Sequence, residues 1–166
     1  MTRGPAAFAA VLAVGATAAS VKAYAAAEAF DPVTFFTGAT HGEGRLKEAF
    51  KREKRVAVDS VGHADKDGRL LLDQKVTVEG EPVRLRHWRL REVAPGRYTG
   101  TISSATSQVE AQAMGQAIRI RYSMEGGIKV ETWLTALPGG QTVQNRTSFS
   151  KWGFKVASIT ERIEKR

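Results

Sequence analysis

Apolar and polar side chains alternate along most of the chain beyond residue 45, most clearly over residues 117–137, AIRIRYSMEGGIKVETWLTAL. Ile118, Ile120, Tyr122 and Met124 fall on one face of an extended segment and Arg119, Arg121 and Ser123 on the other, because successive strand side chains point to opposite sides. Ile128, Val130, Thr132 and Leu134 repeat the pattern. Gly126 and Gly127 part the two runs and supply the positive φ of a two-residue turn, so this stretch predicts a β-hairpin.

The same grammar recurs on both sides. Alternating runs at 45–50 and 53–64 predict two strands, with a bulge or bend at Gly62. Asp65-Lys66-Asp67-Gly68 reads as a turn, 70–78 as a strand, Glu79-Gly80-Glu81-Pro82 as a turn and 83–93 as a strand. Ala94-Pro95-Gly96 then turns the chain into a strand near 97–103. Residues 103–116 are small and polar and read as a connection to the hairpin. Pro138-Gly139-Gly140 makes the last turn and 143–149 alternates again. The tail, 152–163, reads as a final strand or a short terminal helix, with Phe154, Val156 and Ile159 on one side. Before the strands, 30–44 reads as a lead-in: Asp31-Pro32 a turn or helix start, Phe35-Phe36 an apolar plug, and glycines at 38, 42 and 44 loosening the backbone. Eight or nine strands joined by tight turns predict an all-β fold, a small antiparallel up-and-down barrel of about eight strands. Closure removes the edges that invite aggregation; a two-sheet sandwich is the alternative.

The first residues follow another logic. Arg3 gives a positive start, Gly4 to Val21 carries no charge and is rich in alanine, and Ala23-Tyr24-Ala25 offers a small-x-small cleavage site. Residues 1–25 therefore read as a secretory signal peptide or an uncleaved anchor helix, and 26–166 as one barrel domain. Export implies a periplasmic or envelope address, with membrane association possible for an uncleaved anchor. The chain has no cysteine, which excludes disulfides and a lipid-modified cysteine, so the domain must be held by its core. Removing residues 1–25 deletes Arg3 and Lys22 and no acidic residue, which lowers the formal charge from +8 to +6. A basic exported protein fits an anionic membrane surface better than nucleic acid, which is not expected as a partner.

Candidate chemistry is sparse. Ser148-Phe149-Ser150-Lys151 spells a Ser-x-x-Lys motif, but a strand sends Ser148 and Lys151 to opposite faces. Asp65-Lys66-Asp67-Gly68 resembles the start of a calcium loop, yet Val76 stands at the twelfth position where a glutamate is needed. His41, His63 and His87 have no paired spacing, so no metal site and no cofactor is expected. No catalytic constellation emerges. Arg84, Arg86, Arg89 and Arg91 crowd one strand with His87 and Trp88 and read as a basic outer face. Val83 and Leu85 share one parity and Trp88 and Leu90 the other; a bulge between them brings all four inward, and without one Trp88 lies outside. Asn145 shares parity with Val143, Thr147 and Phe149, which places it inside with Tyr122 or Thr132 as a hydrogen-bond partner.

Several short stretches, taken in order, carry a family resemblance: Phe35-Phe36-Thr37-Gly38 followed by Gly42 and Gly44; Glu79-Gly80 followed by Arg86-His87-Trp88; Tyr98-Thr99-Gly100; Gly115-Gln116-Ala117 followed by Tyr122; and Asn145-Arg146 followed by Ser150-Lys151-Trp152-Gly153. From about Phe30 to its end the chain resembles the bacterial envelope family known as domain of unknown function thirty-eight thirty-three, which is similar in fold to lipocalins and other calycins. Ser103-Ser104 stands where that family usually has an aspartate-valine pair, and its common lipoprotein cysteine is absent. The resemblance implies a calycin-like barrel and an envelope address, and brings no activity with it.

Three functions are consistent with this reading. The first is binding of an apolar or amphipathic, lipid-like small molecule in the barrel by Ile118, Ile120, Tyr122, Met124, Val130, Thr132 and Asn145. The second is an isomerase-like or cyclase-like enzyme in the same cavity, which needs a buried acid or base; Tyr122 and Glu48 are the candidates. The third is a solid barrel that docks on an acidic envelope component through the arginine face.

Overall fold

The computed structural model describes residues 29–166; the signal or anchor segment expected at 1–25 lies outside them. A short helix α1 (Pro32–Phe36) leads into ten strands: β1 (Gly38–Glu48), β2 (Lys54–Ala64), β3 (Leu70–Val78), β4 (Arg84–Ala94), β5 (Arg97–Ile102), β6 (Val109–Met114), β7 (Ala117–Met124), β8 (Ile128–Ala136), β9 (Thr142–Lys151) and β10 (Phe154–Lys165). Each strand pairs antiparallel with its neighbour in sequence, and β1 pairs with β10 to close the barrel. The meander is as expected, with ten strands rather than about eight.

One strand, β6, comes from a stretch that reads as a connection, and β1 extends the strand expected from residue 45 back to Gly38. Val109–Met114 offers only Val109, Ala111 and Ala113 to the interior, too weak an alternation to stand out, yet it pairs with β5 and β7. Residues 38–44 are also strand, and Gly42 and Gly44 are needed there for close approach. A Cβ on Gly44 would lie 2.2 Å from the Thr160 carbonyl oxygen and 2.7 Å from the Glu161 Cα. Gly62 has a similar reason. The register of β2 against β1 and β3 runs through it without the expected bulge, and its missing Cβ leaves room for the Phe36 carbonyl oxygen, 2.1 Å from where that carbon would sit.

That carbonyl belongs to the plug. Asp31 caps α1 by accepting from the Val33 and Thr34 amides, Pro32 needs no amide partner in the first turn, and Pro32, Phe35 and Phe36 are buried against the barrel end. Phe30 N–H donates to the Gly115 carbonyl at 2.9 Å and Lys165 Nζ to the Thr34 carbonyl at 3.0 Å, fixing the plug to the β6–β7 turn and to β10. The main core cluster, including Leu70, Leu72, Leu90, Ile118 and Val143, runs inward from it. Val56, Val76 and Val78 form a smaller cluster toward the far end.

One turn and the register of β10 differ from expectation. Met124 pairs with Ile128, so the hairpin turn has three residues, Glu125 to Gly127, with both glycines at positive φ. The β9–β10 register shifts between Lys155 and Ala157, and this bulge reverses the parity of β10. Glu161 therefore faces inward between Ile159 and Ile163, which line the interior with it, while Phe154, the first residue of β10, is exposed at the rim.

Candidate functional site: a cavity inside the barrel

The barrel encloses a cavity of about 100 Å³ that reaches from Pro32 and Phe36 of the plug to Val56, Val58 and Val76 near the other end. That volume is large for a protein interior, where most voids are smaller than a water molecule. Its wall is mainly aliphatic and aromatic, with Leu70, Leu72, Leu90, Ile120, Leu134 and Phe149 prominent.

A band of polar groups interrupts this wall. On β8 and β9, Thr132 and Thr147 hydroxyls lie 2.8 Å apart, Thr147 Oγ1 donates to Asn145 Oδ1 at 3.0 Å, and Asn145 Nδ2 donates to Glu161 Oε2 of β10 at 2.8 Å. Across β2, β3 and β4, Gln74 Nε2 donates to Ser60 Oγ at 3.2 Å and Trp88 Nε1 to Gln74 Oε1 at 2.7 Å. Tyr122 meets Trp88 edge to face, with ring centroids 5.9 Å apart. Strand alternation produces the band, because each of these residues occupies an inward position among apolar ones.

Glu161 is the most unusual member. Its side chain is buried, its Oε1 has no hydrogen-bond partner, and it lies over Gly42, where a Cβ would fall 1.9 Å from that oxygen. Burial raises its pKa above the ordinary 4.5, against the opposing effects of the Asn145 hydrogen bond and the charges of Arg86 and His41. Burial likewise raises the Tyr122 phenol. Thr40 on β1, the next inward residue before Gly42, also has a buried hydroxyl without a partner. Two adjacent strands thus carry uncompensated polar atoms in the interior.

The predicted ligand-facing residues all take inward strand positions, but they divide into two sets. Ile120, Tyr122, Thr132 and Asn145 line the cavity. Ile118 and Val130 are packed solidly into the core and Met124 packs beside it, so these three support the wall. The partner of Asn145 is Glu161 and, through Thr147, Thr132; Tyr122 makes no hydrogen bond to it.

The basic strand is corrected at Arg86, expected on the outer face, and at Trp88, expected outside in the absence of a bulge. No bulge separates Val83 and Leu85 from Trp88 and Leu90: the β3–β4 register is continuous from Arg84 to Leu90. Val83 and Leu85 are exposed, while Arg86, Trp88 and Leu90 line the cavity. Arg86 is therefore a half-buried residue of the cavity wall, and among the described residues no carboxylate lies within ion-pair distance of it. Arg84, at the strand end, is tied to Glu81. Arg89 and Arg91 are exposed as expected, leaving a thinner basic face than four arginines in a row implied.

Glu48 is no interior acid, since it sits at the end of β1 beside Lys51 and Lys54. His41 bonds Asp59 and Glu43, and His87 bonds Asp73; His63 is exposed. Among the described residues no cluster of potential ligands could hold a metal.

A closed antiparallel meander with a helical plug and a partly polar internal cavity defines a lipocalin-like barrel protein. The chain belongs to the family described as "Protein of unknown function (DUF3833)", whose model matches residues 10–165. The fold is similar to that of an S-type phycobiliprotein lyase from Guillardia theta, with a TM-score of 0.64 at 7% identity, covering 81% of this chain and 90% of that one. It is also similar to a protein of unknown function from the DUF3598 family of Nostoc punctiforme, with a TM-score of 0.56 at 13% identity, covering 81% of this chain and 49% of the other. At such identities the likeness is one of fold. No curated protein matches the sequence.

Proposed function

We propose that the protein binds an apolar or amphipathic small molecule inside the barrel, with its apolar body against Leu72, Leu90, Ile120, Leu134 and Phe149 and its polar end toward Arg86. The observation that carries this reading is the half-buried Arg86 on the wall of a largely apolar cavity of about 100 Å³, with no carboxylate within ion-pair distance among the described residues. A guanidinium keeps its charge inside a protein and binds planar anions through two parallel hydrogen bonds. Glu161, across the cavity, is not within ion-pair distance of it, and burial raises the pKa of that carboxyl against the opposing charge of Arg86. A monoanion such as a carboxylate would complete the charge balance. Tyr122, Thr132 and Asn145 then orient the polar end. Export is part of the proposal, resting on the signal-like residues 1–25, and a periplasmic or envelope protein would meet lipid-like ligands.

The test compares decanoic acid with decanol by calorimetric titration. The acid is expected to bind roughly tenfold more tightly, in line with the ~1.5–3 kcal/mol of a charge-assisted hydrogen bond. In Arg86→Gln that preference is lost while decanol binding persists. Equal binding of acid and alcohol by the unaltered protein removes Arg86 as the anchor; no binding of either removes the cavity reading itself.

One observation favours a second reading, that of an enzyme acting on the same class of molecule. Glu161 is a buried carboxyl with a raised pKa and an unpartnered oxygen, in the cavity that Tyr122 also lines. A buried carboxyl with a raised pKa is the kind of group that can act as a general acid or base. Recovery of a chemically altered molecule after incubation with excess ligand, abolished in Glu161→Gln, would support it over simple binding.

A further inference from the structure

The end of the barrel opposite α1 carries a feature that the cavity does not require. The β1–β2 and β9–β10 turns lie side by side there, because β1 pairs with β10 and the Ala49 amide donates to the Val156 carbonyl at 2.9 Å. At their tips Phe50 is fully exposed, Trp152 is 85% exposed and Phe154 75% exposed. Val83 and Leu85, near the β3–β4 turn at the same end, are exposed as well. Phe50 and Trp152 are also the two non-glycine residues with positive φ among the described residues, at 60° and 51°. Bulky side chains rarely adopt that conformation, and here it holds two aromatic rings outward at adjacent tips.

The charge around these rings is mixed with a positive excess: Glu79 and Glu81 of the β3–β4 turn pair with Arg52, Arg55 and Lys54, and Glu48 with Lys51, while Lys47, Lys151 and Lys155 have no carboxylate within ion-pair distance among the described residues. Residues 47–55, KEAFKREKR, and 151–155, KWGFK, contain seven lysines and arginines against two glutamates. Lys151 Nζ sits 4.7 Å from the centre of the Trp152 ring. Lys151 Nζ also lies 3.8 Å from where a Gly126 Cβ would be, which brings the β7–β8 turn to the same rim.

We propose that these two tips form a docking edge for an anionic phospholipid bilayer. Phe50, Trp152 and Phe154 insert at the headgroup level while the surrounding lysines and arginines meet the lipid phosphates. An aromatic side chain with one apolar and one wet environment is suited to that depth, and each basic residue close to an anionic surface adds to the attraction. A protein partner is less well matched, because the patch consists of separate turn tips ringed by flexible cations instead of a flat apolar face. The inference does not depend on what the cavity holds.

The test uses the full chain with phosphatidylcholine vesicles that contain or lack phosphatidylglycerol. The unaltered protein is expected to sediment with the anionic vesicles, less with the neutral ones, and progressively less as salt rises. Phe50→Ser, Trp152→Ser and Phe154→Ser combined should weaken binding roughly tenfold or more. These side chains lie outside the core, so the thermal midpoint should not move. Residues 1–28 are common to both proteins, and a second readout isolates the tips: lipids brominated near the headgroup should quench tryptophan emission in the unaltered protein more than in Trp152→Ser. Equal sedimentation of the triple variant, or equal quenching with and without Trp152, overturns the proposal.

Discussion

Glu161→Gln is expected to stabilise the protein at neutral pH and to leave it nearly unchanged at acidic pH. The carboxyl is buried among β1, β9 and β10, and desolvation raises its folded pKa above the unfolded value near 4.5. The folded state then binds the proton more tightly than the unfolded state. Stability therefore falls as pH rises from the unfolded pKa through the folded one, and the full cost is present above both. Each unit of that elevation is worth about 1.4 kcal/mol. Glutamine keeps an oxygen to accept from Asn145 Nδ2, so the Thr132–Thr147–Asn145 chain survives. Urea denaturation across pH 4 to 8 should give curves for the two proteins that meet near pH 4 and diverge above it. Parallel curves would mean that Glu161 is solvated in the folded protein.

Gly44→Ala is expected to destabilise the protein by about 3 kcal/mol, at the upper end of ordinary single substitutions. The added methyl would collide with the Thr160 carbonyl oxygen and the Glu161 Cα, backbone atoms of the strand that closes the barrel. They can move only if the β1–β10 ladder parts. Gly42→Ala is a milder case, because its methyl meets the carboxyl end of the Glu161 side chain, which can swing away. A Gly44→Ala protein with the unaltered denaturation midpoint would contradict the register that places these strands in contact.

Both variants bear on residues that the sequence pattern only partly revealed. The hairpin of β7 and β8, the tight turns and the closed meander follow directly from alternation and glycine, and inward parity located Ile120, Tyr122, Thr132 and Asn145 on the cavity. The same parity rule contained the missing information. Arg86 stands two residues before Trp88 and four before Leu90, and Glu161 stands midway between Ile159 and Ile163. Each is a charged residue inside an otherwise apolar strand face. Charge favours a surface reading of such positions, since an isolated ion is costly to bury, and only closure of the barrel forces them inside. Lys155 and Ala157 show a second limit. The bulge between them shifts the parity of β10, which no composition signal marks, and a reading that begins from Phe154 assigns Glu161 to the outer face. The short strand β6 was hidden for a simpler reason: alanines at its inward positions satisfy the barrel with little apolar contrast.

The arginine inside the barrel also changes how surface and interior charge are weighed. Docking through the β4 face loses Arg86 to the cavity and Arg84 to its bond with Glu81, whereas Lys47, Lys151 and Lys155 at the aromatic turn tips have no ion-pair partner among the described residues.

Ligand binding itself is tested most directly by native mass spectrometry of the full chain purified from its own cells without detergent. The expected result is a mass above that of the polypeptide by one small molecule, which is released on denaturation and carries an acidic group on an apolar body. A spectrum showing the polypeptide alone, from protein that also takes up neither decanoic acid nor decanol, would contradict it.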